Sequence, residues 1–147
     1  MAFEEKAVRT VIEVLHDGER GFQSLSKEIK NSTARAFFQE EAATRGKFAT
    51  DLESALSAET GKSIQEGGTA SGAVHRAWGE MKGKMGGGDH TLLETAEQGE
   101  DVAKKAYEEA LKVSGIPASI SGILKKQQPH IVQSHDKVKA LRDATAA

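Results

Sequence analysis

The sequence predicts an all-α protein, a four-helix bundle made of two helical hairpins joined by a long Gly-rich crossover. Apolar residues recur every three to four positions along four segments, which is the period of amphipathic helices. Hydrophobic residues are 37% of the chain but aromatic residues only 5%. Because strand faces favour β-branched and aromatic side chains, a core built mainly from Ala, Leu, Ile and Val favours packed helices over sheets.

The first hairpin is predicted from helices over residues 3–30 and 34–58. The apolar stripe of the first helix contains Val8, Ile12, Leu15, Phe22 and Leu25. Residues 31–33, Asn-Ser-Thr, predict a tight turn that offers an N-cap to the second helix. The stripe of that second helix contains Phe38, Ala42, Phe48, Leu52 and Ala55. Glu41 and Arg45 lie on the same stripe, four residues apart.

Residues 60–89 are predicted to be the crossover. Nine of the fifteen glycines lie between Gly61 and Gly88. Within this stretch, residues 71–84 predict a short helix that Trp78 pins to the bundle. A connection of this length inside a compact domain is either functional or a crossover, and a crossover is the simpler interpretation. Two hairpins joined in this way have the ferritin-like connectivity, not the up-down-up-down one with short loops.

The second hairpin is predicted from helices over residues 90–113 and 118–143. Asp89 is expected to cap the first of these, and Gly115 and Pro117 are expected to end it. The two stripes contain Leu93, Ala96, Ala103, Tyr107 and Leu111, and then Ile120, Leu124, Ile131, Val138 and Leu141. Pro129 is expected to kink or split the last helix. Residues 1–147 then form one domain, which is long enough for a hydrophobic core.

Charge and composition exclude several classes of protein. The formal net charge is −2, and a protein that neutralises nucleic-acid phosphates needs a basic face. The absence of cysteine excludes disulfides, thiolate metal sites and cysteine nucleophiles. The N-terminal residues contain no unbroken apolar run, so neither a signal peptide nor a membrane span is predicted. We therefore expect a cytoplasmic protein that binds neither nucleic acid nor membrane.

Polar residues interrupt all four apolar stripes near mid-length. Glu19 lies 13 residues before Ser32 and Arg45 lies 13 after it, so these two are expected at one height in the first hairpin. With Gly115 as the midpoint of the second hairpin, Glu100 is expected opposite His130. The sequence therefore predicts a buried polar layer.

Two interpretations of this layer are open. In the first, it binds iron, manganese or zinc, which suit carboxylate and imidazole ligands. The predicted ligands are Glu19, Glu41, Glu97, Glu100 and His135. In the second, Arg45 neutralises Glu41 and another carboxylate, and no metal is needed. The structural members of the layer are then Arg45, Asp17, Gln128 and His130.

The ligand set argues against the first interpretation. Ferritin-like di-metal sites use Glu-x-x-His from two helices. Here Thr44 lies three residues after Glu41, and Val132 lies three before His135. No Ser-His-Asp or paired-carboxylate motif points to an enzyme, so no catalytic residue is predicted. The remaining histidines, with His16 placed on the polar side of the first helix, are expected to be solvated or structural: His16, His75 and His90.

Several strings together resemble an uncharacterised family of bacterial four-helix-bundle proteins, a domain of unknown function that is grouped with the ferritin-like proteins. The strings are His16-Asp-Gly-x-x-Gly-Phe22, Arg45-x-x-Phe48, Gly72-x-x-His-Arg-x-Trp78, Glu97-x-Gly-Glu-Asp101, Tyr107-x-x-Ala-Leu111 and His135-Asp136. The resemblance covers nearly the whole chain. It implies a ferritin-like bundle and supplies no activity.

These observations lead to three functional hypotheses. The first is a non-enzymatic or weakly metal-binding bundle, a homodimer with a stress or housekeeping role. The second is a divergent iron or manganese carboxylate protein that acts as an oxidase or a metal store. The third is an adaptor whose segment 60–90 binds a protein partner.

Overall fold

The computed structural model describes residues 5–62 and 88–145, and all the regular structure in these ranges is helical. The four helices are α1 Lys6–Glu28, α2 Ser32–Thr60, α3 Asp89–Lys112 and α4 Ala118–Ala144. The prediction of an all-α chain with four helices is confirmed. The predicted crossover helix over residues 71–84, with Trp78 and His75, lies outside the described residues.

Each helix packs against two neighbours, so the four helices form a square bundle. α1 and α4 each contact α2 and α3. The pair α1 and α4 and the pair α2 and α3 therefore lie on the two diagonals. Buried apolar side chains from every helix form one core between them.

Three parts of the chain meet at one end of the bundle: the turn between α1 and α2, the start of α3 and the end of α4. The carboxylate of Asp89, the first residue of α3, accepts hydrogen bonds from the backbone N–H groups of Lys30 and Asn31, in the turn between α1 and α2. Thr145, just after α4, accepts one from His90. From the same turn α2 runs 29 residues, or about 43 Å, to Thr60. α2 therefore ends at the opposite end of the bundle from the start of α3, and neighbouring helices are antiparallel.

Local chemistry explains where the helices begin and end. The side chain of Asn31 accepts a hydrogen bond from the N–H of Ala34, as expected for the N-cap of α2. The guanidinium of Arg35 donates to the carbonyl of Ile29 at the end of α1. Gly61 ends α2 with φ of +70°, a conformation that glycine adopts without strain.

Two expectations for the second hairpin need correction. Gly88, not Asp89, is the N-cap of α3, because Asp89 is already helical and its carboxylate binds the turn between α1 and α2. Pro129 does not split α4, which is one helix from Ala118 to Ala144, and the alternative of a kink at Pro129 stays a prediction. The proline ring removes only one helical hydrogen bond, and the packing of both halves of α4 keeps them in one helix.

Candidate functional site

A fully buried arginine lies at the centre of the bundle. Arg45 on α2 is 1% exposed. Its Nε donates to Glu41 Oε2 at 2.7 Å, one turn earlier on the same helix, and its Nη2 donates to Glu100 Oε1 at 2.5 Å. Glu100 belongs to α3, which lies diagonally opposite α2 in the bundle. Arg45 therefore joins two carboxylates that come from helices with no direct packing between them.

Two side chains of α4 complete this charged layer. Ser134 Oγ accepts from Arg45 Nη2 at 3.1 Å and donates to Glu100 Oε2. His130 Nε2 lies 3.0 Å from both carboxylate oxygens of Glu41. The side chain of His130 is 40% exposed, whereas Glu41, Arg45 and Glu100 are buried. The layer therefore reaches solvent between α2 and α4.

The helix α1 encloses the guanidinium with an aromatic ring and a glycine. Arg45 Cζ lies 5.1 Å from the centre of the Phe22 ring, within the range of a cation–π interaction. A Cβ added to Gly18 would lie 3.4 Å from Arg45 Nη1. Position 18 of α1 is therefore within van der Waals range of the buried cation.

The electrostatics of the layer keep Arg45 charged. Burial by itself lowers the pKa of the Arg45 guanidinium, but the negative charges of Glu100 and Glu41 and their hydrogen bonds more than reverse this, so the pKa is raised. A buried guanidinium without these partners would be strongly destabilising. The arrangement is thus a hydrogen-bonded Glu–Arg–Glu triad with a serine and a histidine at its edges.

A second buried polar contact lies close to the triad. Tyr107 OH donates to Gln127 Oε1 at 2.7 Å, and Gln127 Nε2 donates to the carbonyl of Phe48 at 3.3 Å. Burial raises the pKa of the Tyr107 phenol, and the nearby charge of Arg45 lowers it by less. The buried glutamine of α4 is therefore Gln127, whereas the sequence pattern predicted Gln128, which is only half-buried.

The predicted site residues are divided among separate contacts. The structure brings together Glu41, Glu100, Arg45 and His130. Glu19 lies beside this group, with its carboxylate against Gly46, the residue after Arg45.

Three other predicted residues bind elsewhere. Glu97 accepts from Arg142, and Asp17 Oδ1 accepts from Arg20 at 2.6 Å. His135 Nε2 lies 2.8 Å from Asp101 Oδ1, and its Nδ1 lies 3.1 Å from Asp136 Oδ1. In the ranges 5–62 and 88–145, no group of three or more His, Asp and Glu residues is arranged to hold a metal ion. Metal binding by the five residues chosen from the sequence stays a prediction.

One buried histidine differs from its expected position. His16 was assigned to the polar side of the first helix, but it is only 6% exposed, and its Nε2 lies 3.1 Å from Glu53 Oε2 on α2. The signal in the sequence is that His16 lies four residues after Ile12, on the buried stripe. The partner that makes burial possible is on another helix, so the pattern of α1 alone does not reveal it.

The fold and this layer define a class: a four-helix bundle with a buried Glu–Arg–Glu triad in its core. Residues 4–113 match the family model described as "Domain of unknown function (DUF2383)". Because the match covers more than half of the chain, the protein belongs to this family, and the resemblance to a domain of unknown function is confirmed. The matched residues include the whole triad, whereas His130 and Ser134 lie beyond them.

Two further findings accompany the family match. A comparison with curated proteins finds no significant match. Among the helices in the described ranges, none combines the length and the apolar character that a membrane span requires.

Proposed function

We propose that the protein is a non-enzymatic ferritin-like bundle in which Arg45 takes the place of a metal centre. In ferritin-like carboxylate proteins, Glu and His side chains from four helices project toward metal ions in the core. Here Glu41 and Glu100 both bind the guanidinium of Arg45. This double contact to a fully buried arginine is the observation that carries the proposal. The cellular role that we propose is structural, in stress or housekeeping.

The positions of the helix ends support the ferritin-like connectivity. α2 ends at Thr60, and α3 begins at Asp89 beside the turn that precedes α2. Thr60 and Asp89 therefore lie at opposite ends of the bundle. In an up-down-up-down bundle with short loops, α3 would instead begin at the end of the bundle where α2 finishes.

Electrostatics favour the guanidinium over a metal ion as the central cation. The guanidinium is planar, keeps its charge at every physiological pH and donates several N–H groups in a fixed geometry. It already occupies Glu41 Oε2 and Glu100 Oε1. A divalent ion bound by these carboxylates would have to displace both hydrogen bonds and lie next to a permanent positive charge.

The test is elemental analysis of protein purified without chelator or affinity metal and then incubated with ferrous iron, manganese or zinc. We expect less than about a tenth of an equivalent of metal per chain after desalting, because carboxylate metal sites need a free ligand set. One or two equivalents of iron or manganese in the wild-type chain would overturn the proposal. A known di-iron bundle, treated in parallel, calibrates the upper limit.

A divergent iron or manganese carboxylate protein is the second candidate, and His130 favours it. Its Nε2 lies 3.0 Å from both oxygens of Glu41, so an imidazole and a carboxylate meet at the solvent edge of the layer. If Glu100 is also a ligand, Glu100→Gln abolishes metal uptake while the chain stays folded. Glu109→Gln, an exposed change on the same helix, is the matched control and should leave uptake unchanged.

Two proposals concern partners. In the described residues, Val132 is the large hydrophobic side chain that is exposed, at 37%. A homodimer that uses these surfaces would therefore have a largely polar interface, and light scattering over a dilution series tests it. The adaptor hypothesis concerns segment 60–90, most of which lies outside the described residues. It predicts that a partner protects this segment from proteolysis.

A further inference from the structure

The first residue of α3 binds the turn of the other hairpin through both of its carboxylate oxygens. Asp89 Oδ1 accepts from Lys30 N at 2.9 Å, and Oδ2 accepts from Asn31 N at 2.8 Å. Hydrogen bonds from backbone N–H groups to a carboxylate are charge-assisted and stronger than neutral ones. Asn31 is also the N-cap of α2, so the negative charge lies at the positive end of that helix dipole.

The next residue binds the end of α4. His90 Nδ1 lies 2.9 Å from the carbonyl oxygen of Thr145. A carbonyl oxygen only accepts, so Nδ1 carries the proton in this contact. Thr145 directly follows α4. Two consecutive residues, Asp89 and His90, therefore connect the start of α3 to the turn between α1 and α2 and to the end of α4.

We propose that Asp89 and His90 form a clasp that keeps this end of the bundle closed and holds the first hairpin in register with the second. The triad around Arg45 lies near mid-length, so it fixes the separation of the hairpins at one level. A second polar contact between the hairpins at a different level prevents one hairpin from rotating relative to the other about the triad. Asp89 supplies that contact by binding the first hairpin from the start of the second.

Amide hydrogen exchange tests the clasp directly, because the amide hydrogens of Lys30 and Asn31 are the ones that Asp89 binds. In Asp89→Ala, we expect exchange of these two amides to become at least about tenfold faster, as the loss of charge-assisted hydrogen bonds implies. Glu108→Ala removes an exposed carboxylate from the same helix, away from the clasp, and should leave both amides unchanged. Equal exchange in the wild type and Asp89→Ala would overturn the proposal.

Distances between spin labels test the register. The chain has no cysteine, so pairs of labelled cysteines can be introduced without removing native ones. One pair, at Lys27 and Gln98, joins α1 to α3 in the half of the bundle that contains the clasp. The other, at Lys6 and Glu109, joins them in the opposite half. All four positions are exposed.

Asp89→Ala should broaden the distance distribution of the first pair, and the wild-type chain should give a narrow one. The second pair should change less, because it reports on the half that the clasp does not touch. If the first distribution stays as narrow as in the wild type, the register does not depend on Asp89 and the proposal fails. His90→Ala tests the other arm, and it should release the end of α4 while Lys30 and Asn31 stay protected.

Discussion

Arg45 and Glu100 are hydrogen-bonded across the diagonal of the bundle, with 2.5 Å between Nη2 and Oε1. Their helices, α2 and α3, do not pack against each other directly. Apolar side chains accept many relative positions, whereas a hydrogen-bonded ion pair accepts a narrow range of distances and angles. The Arg45–Glu100 contact therefore specifies how the two hairpins are placed around the core.

Removing the arginine should be strongly destabilising. Arg45→Ala leaves the carboxylates of Glu41 and Glu100 buried without their cation, so we expect a loss of about 3–5 kcal/mol in the free energy of unfolding. Urea denaturation followed by circular dichroism measures this change. Lys47→Ala is the matched control. It removes an exposed cation paired with Asp51 on the same helix and should cost less than about 1 kcal/mol.

A double variant separates lost charge pairing from lost packing. If the cost of Arg45→Ala comes from unpaired carboxylates, then Glu100→Gln should cost less in the Arg45→Ala background than in the wild type. Strictly additive costs would mean that Arg45 contributes through packing alone.

Ser134 should matter more than a serine on a helix surface does. Ser134→Ala removes the donor to Glu100 Oε2 and one acceptor for Arg45 Nη2. Because these atoms stay buried, we expect a cost of about 1–3 kcal/mol in thermal or urea unfolding. Ser121→Ala, at a half-buried position of α4, should change stability by less than about 0.5 kcal/mol. Equal effects of the two changes would contradict the assigned role of Ser134.

The single tyrosine gives a prediction for alkaline pH. Burial raises the pKa of Tyr107 in the folded chain, whereas in the unfolded chain the phenol has its ordinary pKa of about 10. The neutral, buried phenol therefore contributes its full share to the free energy of unfolding below pH about 10. This contribution is lost as the pH rises through the folded-state pKa. We expect phenolate absorbance to appear together with the loss of helical circular dichroism. Phenolate formation in a chain that stays helical would contradict the buried environment.

Two glycines should respond to alanine in opposite directions. Gly122, in α4, has no atom within 4 Å of an added Cβ, so Gly122→Ala should stabilise the protein by about 1 kcal/mol through helix propensity. Gly115, between α3 and α4, has φ of +85°. There an alanine would be strained, and we expect a loss of about 1–2 kcal/mol. Melting temperatures of both variants, measured side by side, give the two signs.

The sequence contained enough information for the helices and for half of the layer. Glu41 and Arg45 lie on one stripe at a spacing of four, which predicts their contact within α2. The turn of the first hairpin is short, so counting from Ser32 correctly brought the level of Arg45 to that of Gly18 and Glu19 on α1. These two predictions were possible because helical periodicity and a short connecting turn are both visible in the sequence.

In the second hairpin, the same method of counting residues from the turn placed the midpoint two residues too early. The contacts Tyr107–Gln127 and Glu100–Ser134 are centred on residue 117, two residues after the midpoint assumed at Gly115. A shift of two residues in the midpoint moves every expected partner by four, which is why Ser134, and not His130, lies opposite Glu100. The cause is the non-helical connection after α3, since α4 begins only at Ala118.

The periodicity of the sequence does not predict the contacts between the two hairpins. Asp89 looked like the cap of its own helix, and only the three-dimensional arrangement reveals the amides of Lys30 and Asn31 beside it. Gln127 and Gln128 are equally compatible with the stripe of α4, at three and four residues after Leu124. The hydroxyl of Tyr107 and the carbonyl of Phe48 decide between them.

The layer also affects the kinetics of folding. Arg45 binds residues that lie 55 and 89 positions further along the chain, whereas each hairpin closes over a short turn. Closing a long loop costs more chain entropy, so we expect the hairpins to form first and the layer to close late. Interactions that are absent from the transition state slow unfolding without accelerating folding. The triad therefore extends the lifetime of the native bundle more than it shortens the time needed to form it.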